Sequence, residues 1–126
     1  MAGEQILVVE DNEKNMKLFR DVLQATGYRT LEATTGGRAV ELATEHGPDL
    51  VLMDVQLPDI NGLEALGRLR ADERTASIPV LAVTAQAMQG DRERFLAAGF
   101  DGYLSKPVSI ADLVATVQHH CDGRGR

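Results

Sequence analysis

The sequence contains a single cysteine, no tryptophan, and only three phenylalanines and two tyrosines among its 126 residues. Because one thiol cannot form an internal disulfide, a reducing compartment is the default expectation. Scarce aromatic residues argue against a surface that stacks nucleic-acid bases. The net charge of −6 points the same way, since nucleic-acid-binding domains carry a basic patch.

No apolar stretch reaches the length of a membrane span, and Met1 to Gln5 provide neither a basic n-region nor a long apolar h-region. We therefore expect a cytoplasmic protein without membrane association or a secretory signal. Apolar residues make up 44% of the chain and charged residues 25%, as in ordinary globular domains. Since no linker or repeat divides the chain, residues 1–126 are expected to form one domain with no output domain.

Short apolar runs alternate with amphipathic segments five times. The runs predict strands at 5–10, 29–33, 50–54, 79–84 and 102–105, each followed by a helix. Capping residues open four of these helices, namely Asn12, Thr35, Asn61 and Ser109. Leu63 and Ile110 are expected to face the core, and Arg70 to be a solvated charge. The alternation predicts an α/β fold, a doubly wound five-stranded parallel sheet of order 2-1-3-4-5 with helices on both faces.

Acidic residues follow two of the predicted strands. Glu10 ends the first strand and Asp11 follows it, and Asp54 ends the third. In the predicted order these strands are neighbours, so the three carboxylates should converge at the edge of the sheet where α/β folds bind ligands. Such a cluster needs a cation or raised pKa values, and hard oxygen ligands suit Mg²⁺. The alternative is that Asp54 only caps the turn that follows it.

Further polar residues are predicted at the same edge. The fourth strand ends in the hydroxyl of Thr84, and the fifth leads to the ammonium of Lys106. Acids, a metal, a hydroxyl and an ammonium form an electrostatic clamp for a phosphoryl group, with a carboxylate as the nucleophile. Gln56 and Gln86 stand two residues after Asp54 and Thr84. We expect both amides to flank the phosphoryl group and to affect its lifetime by orienting water.

In this combination the motifs resemble the response-regulator receiver domain of two-component signalling. The resemblance extends from Gln5 to about His119 and is carried by Glu10-Asp11-Asn12, Leu52-Met53-Asp54, Pro58 with Gly62, Val83-Thr84-Ala85 and Lys106-Pro107. Three longer segments are similar to stand-alone receivers of the cell-division (DivK) type, namely Asp11 to Phe19, Asp54 to Pro58 and Thr84 to Met88.

The resemblance implies a phosphoacceptor that receives a phosphoryl group on Asp54 from a histidine kinase or a phosphotransfer protein. It also implies that Asp11, Asp54 and the backbone carbonyl of Gln56 bind Mg²⁺, with Glu10 acting through water. Such a protein catalyses only its own phosphoryl transfer and autodephosphorylation, and is not an enzyme with a separate substrate.

The resemblance further implies a switch. Lys106 and Thr84 contact the phosphoryl oxygens, and Tyr103 turns inward when Thr84 moves. The face formed by the fourth helix, the fifth strand and the fifth helix would then bind a downstream effector protein. The Lys106–Pro107 peptide bond is expected to be cis.

Other functions on this fold fit the residues less well. A flavodoxin-like carrier needs a phosphate-binding loop rich in hydroxyls or glycine after the first strand, whereas Glu10 to Glu13 would repel phosphate. A haloacid-dehalogenase-type phosphatase carries an Asp-x-Asp motif at its first strand. Here Asp54 stands at the third strand, and the residue two positions later is Gln56. An aspartyl-nucleophile phosphatase and a receiver fragment of a hybrid histidine kinase remain as alternatives.

Overall fold

The computed structural model describes residues 3–85 and 91–122, in which five strands alternate with five helices. The strands are β1 (Gln5–Val9), β2 (Arg29–Ala33), β3 (Leu50–Asp54), β4 (Val80–Thr84) and β5 (Gly102–Ser105). The helices are α1 (Glu13–Ala25), α2 (Gly36–His46), α3 (Gly62–Ala71), α4 (Asp91–Ala98) and α5 (Ile110–Asp122). All strand pairs are parallel and lie in the order β2-β1-β3-β4-β5, which confirms the predicted fold.

Side-chain caps start four of the helices, as the sequence predicts. Each cap accepts a hydrogen bond from the backbone N–H three residues further on: Asn12 from Asn15, Thr35 from Arg38, Asn61 from Glu64, and Ser109 from Asp112. Gly47 ends α2 in the left-handed region, with a φ of 57°. These local signals start four of the five helices. Because all strand pairs are parallel, the loops that follow the strands lie at one edge of the sheet.

The core has two layers, one on each face of the sheet, because successive side chains of a strand point to opposite faces. Helices α2, α3 and α4 cover one face of β1 and β3, and α1 and α5 cover the other. Two of the three interior strands are buried throughout, from Leu50 to Asp54 in β3 and from Val80 to Thr84 in β4. None of the helices within the described ranges is long and apolar enough to cross a bilayer.

Two apolar residues expected to face the core are exposed. Leu63 is 41% exposed, because the buried stripe of α3 runs through Ala65 and Leu69 and lies about a third of a turn away from Leu63. Ile110 is 58% exposed, because it is the first residue of α5 and stands at the open start of that helix. Apolar character alone therefore misplaced both side chains.

Arg70 is not the solvated charge that the sequence suggested. Its guanidinium donates to the carbonyl oxygens of Ile78 at 2.7 Å and Gly99 at 3.0 Å, and forms an ion pair of 2.7 Å with Asp101. The same carboxylate accepts the backbone N–H of Val80 at 2.8 Å. Arg70 thus joins the end of α3 to the segments that lead into β4 and β5.

Candidate functional site

The register of the sheet brings four polar residues to one edge. The residue before Glu10 pairs with the residue before Asp54, so these two carboxylates lie level on neighbouring strands. Asp54 pairs in turn with the residue before Thr84, and Thr84 pairs with the residue before Lys106. Four residues that are far apart in the sequence are therefore placed side by side by parallel pairing alone.

Three carboxylates form an acidic cluster at this edge. Glu10, Asp11 and Asp54 each place an oxygen atom within 4.8 Å of the other two. Glu10 is 1% exposed and Asp54 is 4% exposed, whereas Asp11 is open to solvent. Beside Glu10 and Asp11, a pocket of about 420 Å³ opens between α1 and the end of β2. The oxygen donors, their spacing and this access fit a hard divalent cation such as Mg²⁺.

Lys106 is the cation that joins two of these carboxylates. Its Nζ lies 2.8 Å from Glu10 Oε1 and 3.0 Å from Asp54 Oδ2. Burial by itself would lower the pKa of Lys106, but the hydrogen bonds to Glu10 and Asp54 outweigh it and hold this pKa above its ordinary value. The ammonium therefore remains charged at neutral pH and offsets part of the cluster's negative charge.

Glu10 is held in place from two sides. Lys106 contacts one carboxylate oxygen, and the backbone N–H of Asn12 donates to the other at 3.1 Å. Burial raises the pKa of Glu10, and these two hydrogen bonds only partly compensate. The raised pKa marks a carboxylate whose charge depends on the cations around it.

Asp54 is oriented by the strand and by the loop that follows. Its Oδ1 accepts the backbone N–H of Gln56 at 2.9 Å, and its Oδ2 accepts a hydrogen bond from Lys106. The side chain of Gln56 is exposed at the rim of the site. Gln86, the other amide predicted to flank the phosphoryl group, lies outside the described residues.

Thr84 and Tyr103 lie on the side of the site that leads to α4. Thr84 is 2% exposed at the end of β4, and its carbonyl accepts the backbone N–H of Lys106 at 2.7 Å. The Lys106–Pro107 peptide bond is cis, as expected. Tyr103 is half-buried, and its ring stacks on Phe95 of α4 with centroids 5.8 Å apart and an interplanar angle of 25°.

One residue at this edge was not predicted from the sequence. Asp59, in the loop after β3, accepts the backbone N–H groups of Gly36 and Gly37 at 2.8 Å each. Its partners lie 23 and 22 residues away in the sequence. No local signal marks such a contact, because it depends on how β3 and α2 are placed in space.

A five-stranded parallel α/β fold with this acidic edge is the architecture of receiver domains. Comparison with known proteins leads to the same class. The family model for the response regulator receiver domain matches residues 6–118. The chain therefore belongs to the response regulator receiver family, whose members work with histidine kinases and effectors in two-component systems.

Within this family the chain is similar to DivK. The polar-differentiation response regulator DivK of Brucella ovis is 49% identical over 117 residues, which cover 93% of this chain and 95% of that protein. The receiver domain of a sensor histidine kinase from Pseudomonas aeruginosa superimposes with a TM-score of 0.88 and 40% identity. That match covers 96% of this chain and 99% of that one, and the structure has a magnesium ion coordinated in its active-site cleft.

The chemotaxis response regulator CheY4 of Vibrio cholerae superimposes with a TM-score of 0.88 at 25% identity, covering 94% of this chain and 99% of that one. Low identity with a closely similar backbone shows that the receiver architecture tolerates extensive sequence change. The fold therefore identifies the class of protein.

Proposed function

We propose that this protein is a phosphoacceptor response regulator in which Asp54 receives a phosphoryl group from a histidine kinase or a phosphotransfer protein. The observation that carries the proposal is the position of Asp54 at the rigid end of β3, with one carboxylate oxygen 3.0 Å from Lys106 Nζ. An ammonium at this distance can also stabilise negative charge on a phosphoryl group that joins the carboxylate.

The acidic cluster would hold the magnesium ion that this chemistry needs. We assign Asp11, Asp54 and the backbone carbonyl of Gln56 as direct ligands, with Glu10 bound through water. The three carboxylate oxygens within 4.8 Å of one another support this assignment. When bound, the metal would neutralise charge on the phosphoryl oxygens and help to align the donor. The residues themselves bring the nucleophile and Lys106 to the same point.

The phosphorylated state would be communicated through Thr84 and Tyr103. Thr84 is buried next to the register position of Asp54, and Tyr103 is only half-buried against Phe95 of α4. A shift of the Thr84 hydroxyl toward the phosphoryl group would let the Tyr103 ring move inward. The surface of α4, β5 and α5 would then favour an effector protein by its differential affinity for the two states.

The protein would act on its own carboxylate rather than on a separate substrate, with residues 1–126 working as one receiver unit. Phosphoryl transfer to Asp54 and autodephosphorylation would be the only reactions that it catalyses. Gln56 is exposed at the rim, where its amide would orient the water that hydrolyses the phosphoryl group. We assign the same role to Gln86 from the sequence alone.

The experiment combines phosphoramidate, Mg²⁺ and intact-mass measurement. The wild type should gain one phosphoryl group only when Mg²⁺ is present, Asp54→Asn should gain none, and Asp11→Ala should react much more slowly. Glu41→Gln removes an exposed carboxylate from α2 and should react like the wild type. Phosphorylation of Asp54→Asn at the wild-type level would overturn the proposal, and turnover of a phosphomonoester by the wild type would indicate a phosphatase instead.

A further inference from the structure

The loop between β3 and α3, residues 55–61, is attached at its tip to the start of α2. Asp59 accepts the backbone N–H of Gly36 through Oδ1 and that of Gly37 through Oδ2, both at 2.8 Å. These are the first two residues of α2, so the carboxylate also lies at the positive end of the helix dipole. Backbone hydrogen bonds from Gly37, Ile60 and Gly36 lower the pKa of Asp59 to about 2, so it is charged at neutral pH.

A steric contact supports the same attachment. A Cβ atom on Gly36 would lie 2.5 Å from Ile60 Cγ1 and 3.3 Å from the Ile60 carbonyl oxygen. Gly36 is itself buried, so the loop backbone packs directly on the first turn of α2. The attachment therefore consists of two charge-assisted hydrogen bonds and a close backbone contact.

The base of the loop is closed as well. The backbone N–H of Gly62 donates to the Val55 carbonyl at 2.9 Å. A Cβ atom on Gly62 would lie 2.8 Å from Val55 Cα and 2.9 Å from the Asp54 carbonyl oxygen. With its base closed and its tip attached to α2, the short loop has few backbone angles left to vary.

This loop carries Gln56, whose backbone N–H holds Asp54 and whose carbonyl is the assigned metal ligand. We propose that Asp59 is a positioning residue of the metal site: by attaching the loop to α2, it fixes the Gln56 carbonyl and thereby sets the affinity for Mg²⁺. The inference rests on the proposed function, because the Gln56 carbonyl is a ligand only if the acidic cluster binds the metal.

A purely structural role for Asp59 predicts a different result. If Asp59 only caps α2, its loss should resemble the loss of Thr35, whose hydroxyl accepts the Arg38 N–H at 3.1 Å in the same helix turn. Thr35 is the N-cap residue of α2, and its hydroxyl accepts a hydrogen bond from the helix itself rather than from residues 55–61. Thr35→Ala is therefore the matched control, since it weakens the same helix start without releasing the Gln56 segment.

The test is a Mg²⁺ titration of the unphosphorylated protein, followed by the backbone amide signals of Asp54 and Gln56 in NMR spectra. We expect Asp59→Ala to raise the dissociation constant about fivefold, because loss of the attachment lowers the fraction of molecules with a competent loop. Thr35→Ala should change it less than about twofold while losing similar thermal stability. Asp59→Asn keeps one acceptor oxygen and should give an intermediate constant.

A charge control separates positioning from simple attraction. Glu13→Gln also removes an exposed negative charge, two residues from Asp11. In about 0.5 M KCl the Debye length falls to about 4 Å, so the charge effect should vanish in Glu13→Gln while the Asp59→Ala effect persists. Wild-type affinity in Asp59→Ala, or equal weakening in Thr35→Ala, would overturn this inference alone. A wild type that binds no Mg²⁺ would overturn the metal site and this inference with it.

Discussion

Removal of Lys106 should reveal how much free energy the burial of the charged carboxylates requires. Lys106 Nζ contacts Glu10 at 2.8 Å and Asp54 at 3.0 Å, which correspond to about 5.9 and about 5.5 kcal/mol of attraction at an effective dielectric constant of about 20. Most of that attraction only offsets the desolvation of the three groups. If the lysine alone is removed, the desolvation of both carboxylates remains without compensation, which costs about 3–5 kcal/mol for buried pairs.

The expected loss for Lys106→Met is at the lower end of that range. The Lys106 side chain is 18% exposed, so water can partly replace its charge and we expect a loss of about 3 kcal/mol. A chain of 126 residues unfolds with an entropy of about 0.26 kcal/mol/K, so the melting temperature should fall by about 11 °C. Lys17→Met is the control, because the Lys17–Asp21 pair is exposed and its loss should cost less than about 0.5 kcal/mol.

Mg²⁺ should restore much of this loss. At a free concentration ten times its dissociation constant, the metal should stabilise the wild type by about 1.4 kcal/mol. The gain in Lys106→Met should be larger, because the ammonium no longer competes for the carboxylate oxygens. Thermal unfolding followed by circular dichroism, with EDTA or with Mg²⁺, measures both effects. A fall of less than about 4 °C in Lys106→Met without metal would show that water solvates the cluster and would refute the reasoning.

Three further predictions concern the phosphorylated state and acid stability. Gln56→Leu keeps its bulk but loses the water-orienting amide, so phosphoprotein should decay about fivefold more slowly after the donor is removed; faster decay would mean that the side chain blocks water. Thr84→Ala should still gain a phosphoryl group by mass, but the Tyr103 amide signal should shift far less than in the wild type, and an equal shift would exclude Thr84 from the coupling. Because folding lowers the pKa of Asp59, its carboxylate stabilises the fold at pH values above 3.8, the ordinary pKa of an aspartate. This contribution is lost as the pH falls through about 2. Asp59→Asn should therefore be less stable than the wild type at pH 7 in denaturant unfolding, and a difference that stays constant down to about pH 2 would contradict this.

Local signals were enough to predict the elements and their order. Strand runs such as Leu50 to Met53 are apolar on both faces, which is typical of central parallel strands. The caps at Asn12 and Asn61 depend on a side chain and a backbone N–H only three residues apart, so the sequence contains both partners. Once the order is known, parallel register places Glu10 next to Asp54. The acidic edge was therefore predictable, as a consequence of topology.

Contacts between distant segments were not predictable in the same way. Arg70 and Asp59 are ordinary charged residues in the sequence, yet one joins three segments and the other joins a loop to α2. The bridge from Lys106 to both Glu10 and Asp54 was also absent from the sequence analysis, which expected Lys106 only to face the phosphoryl group. Such pairings depend on side-chain direction at an edge where several elements meet, and no spacing rule encodes them.

The charges at the edge explain why metal and lysine would both be needed. Three carboxylates and one ammonium leave two uncompensated negative charges, which one Mg²⁺ would balance. Phosphorylation of Asp54 would exchange one negative carboxylate charge for about two negative charges on the phosphoryl group. The site would then again carry uncompensated negative charge. Hydrogen-bond donors around the phosphoryl group would solvate this added charge, and the buried Thr84 hydroxyl lies next to Asp54 in the register of the sheet. We therefore expect Thr84 to move toward Asp54 on phosphorylation, and this movement is the step from which the proposed switch begins.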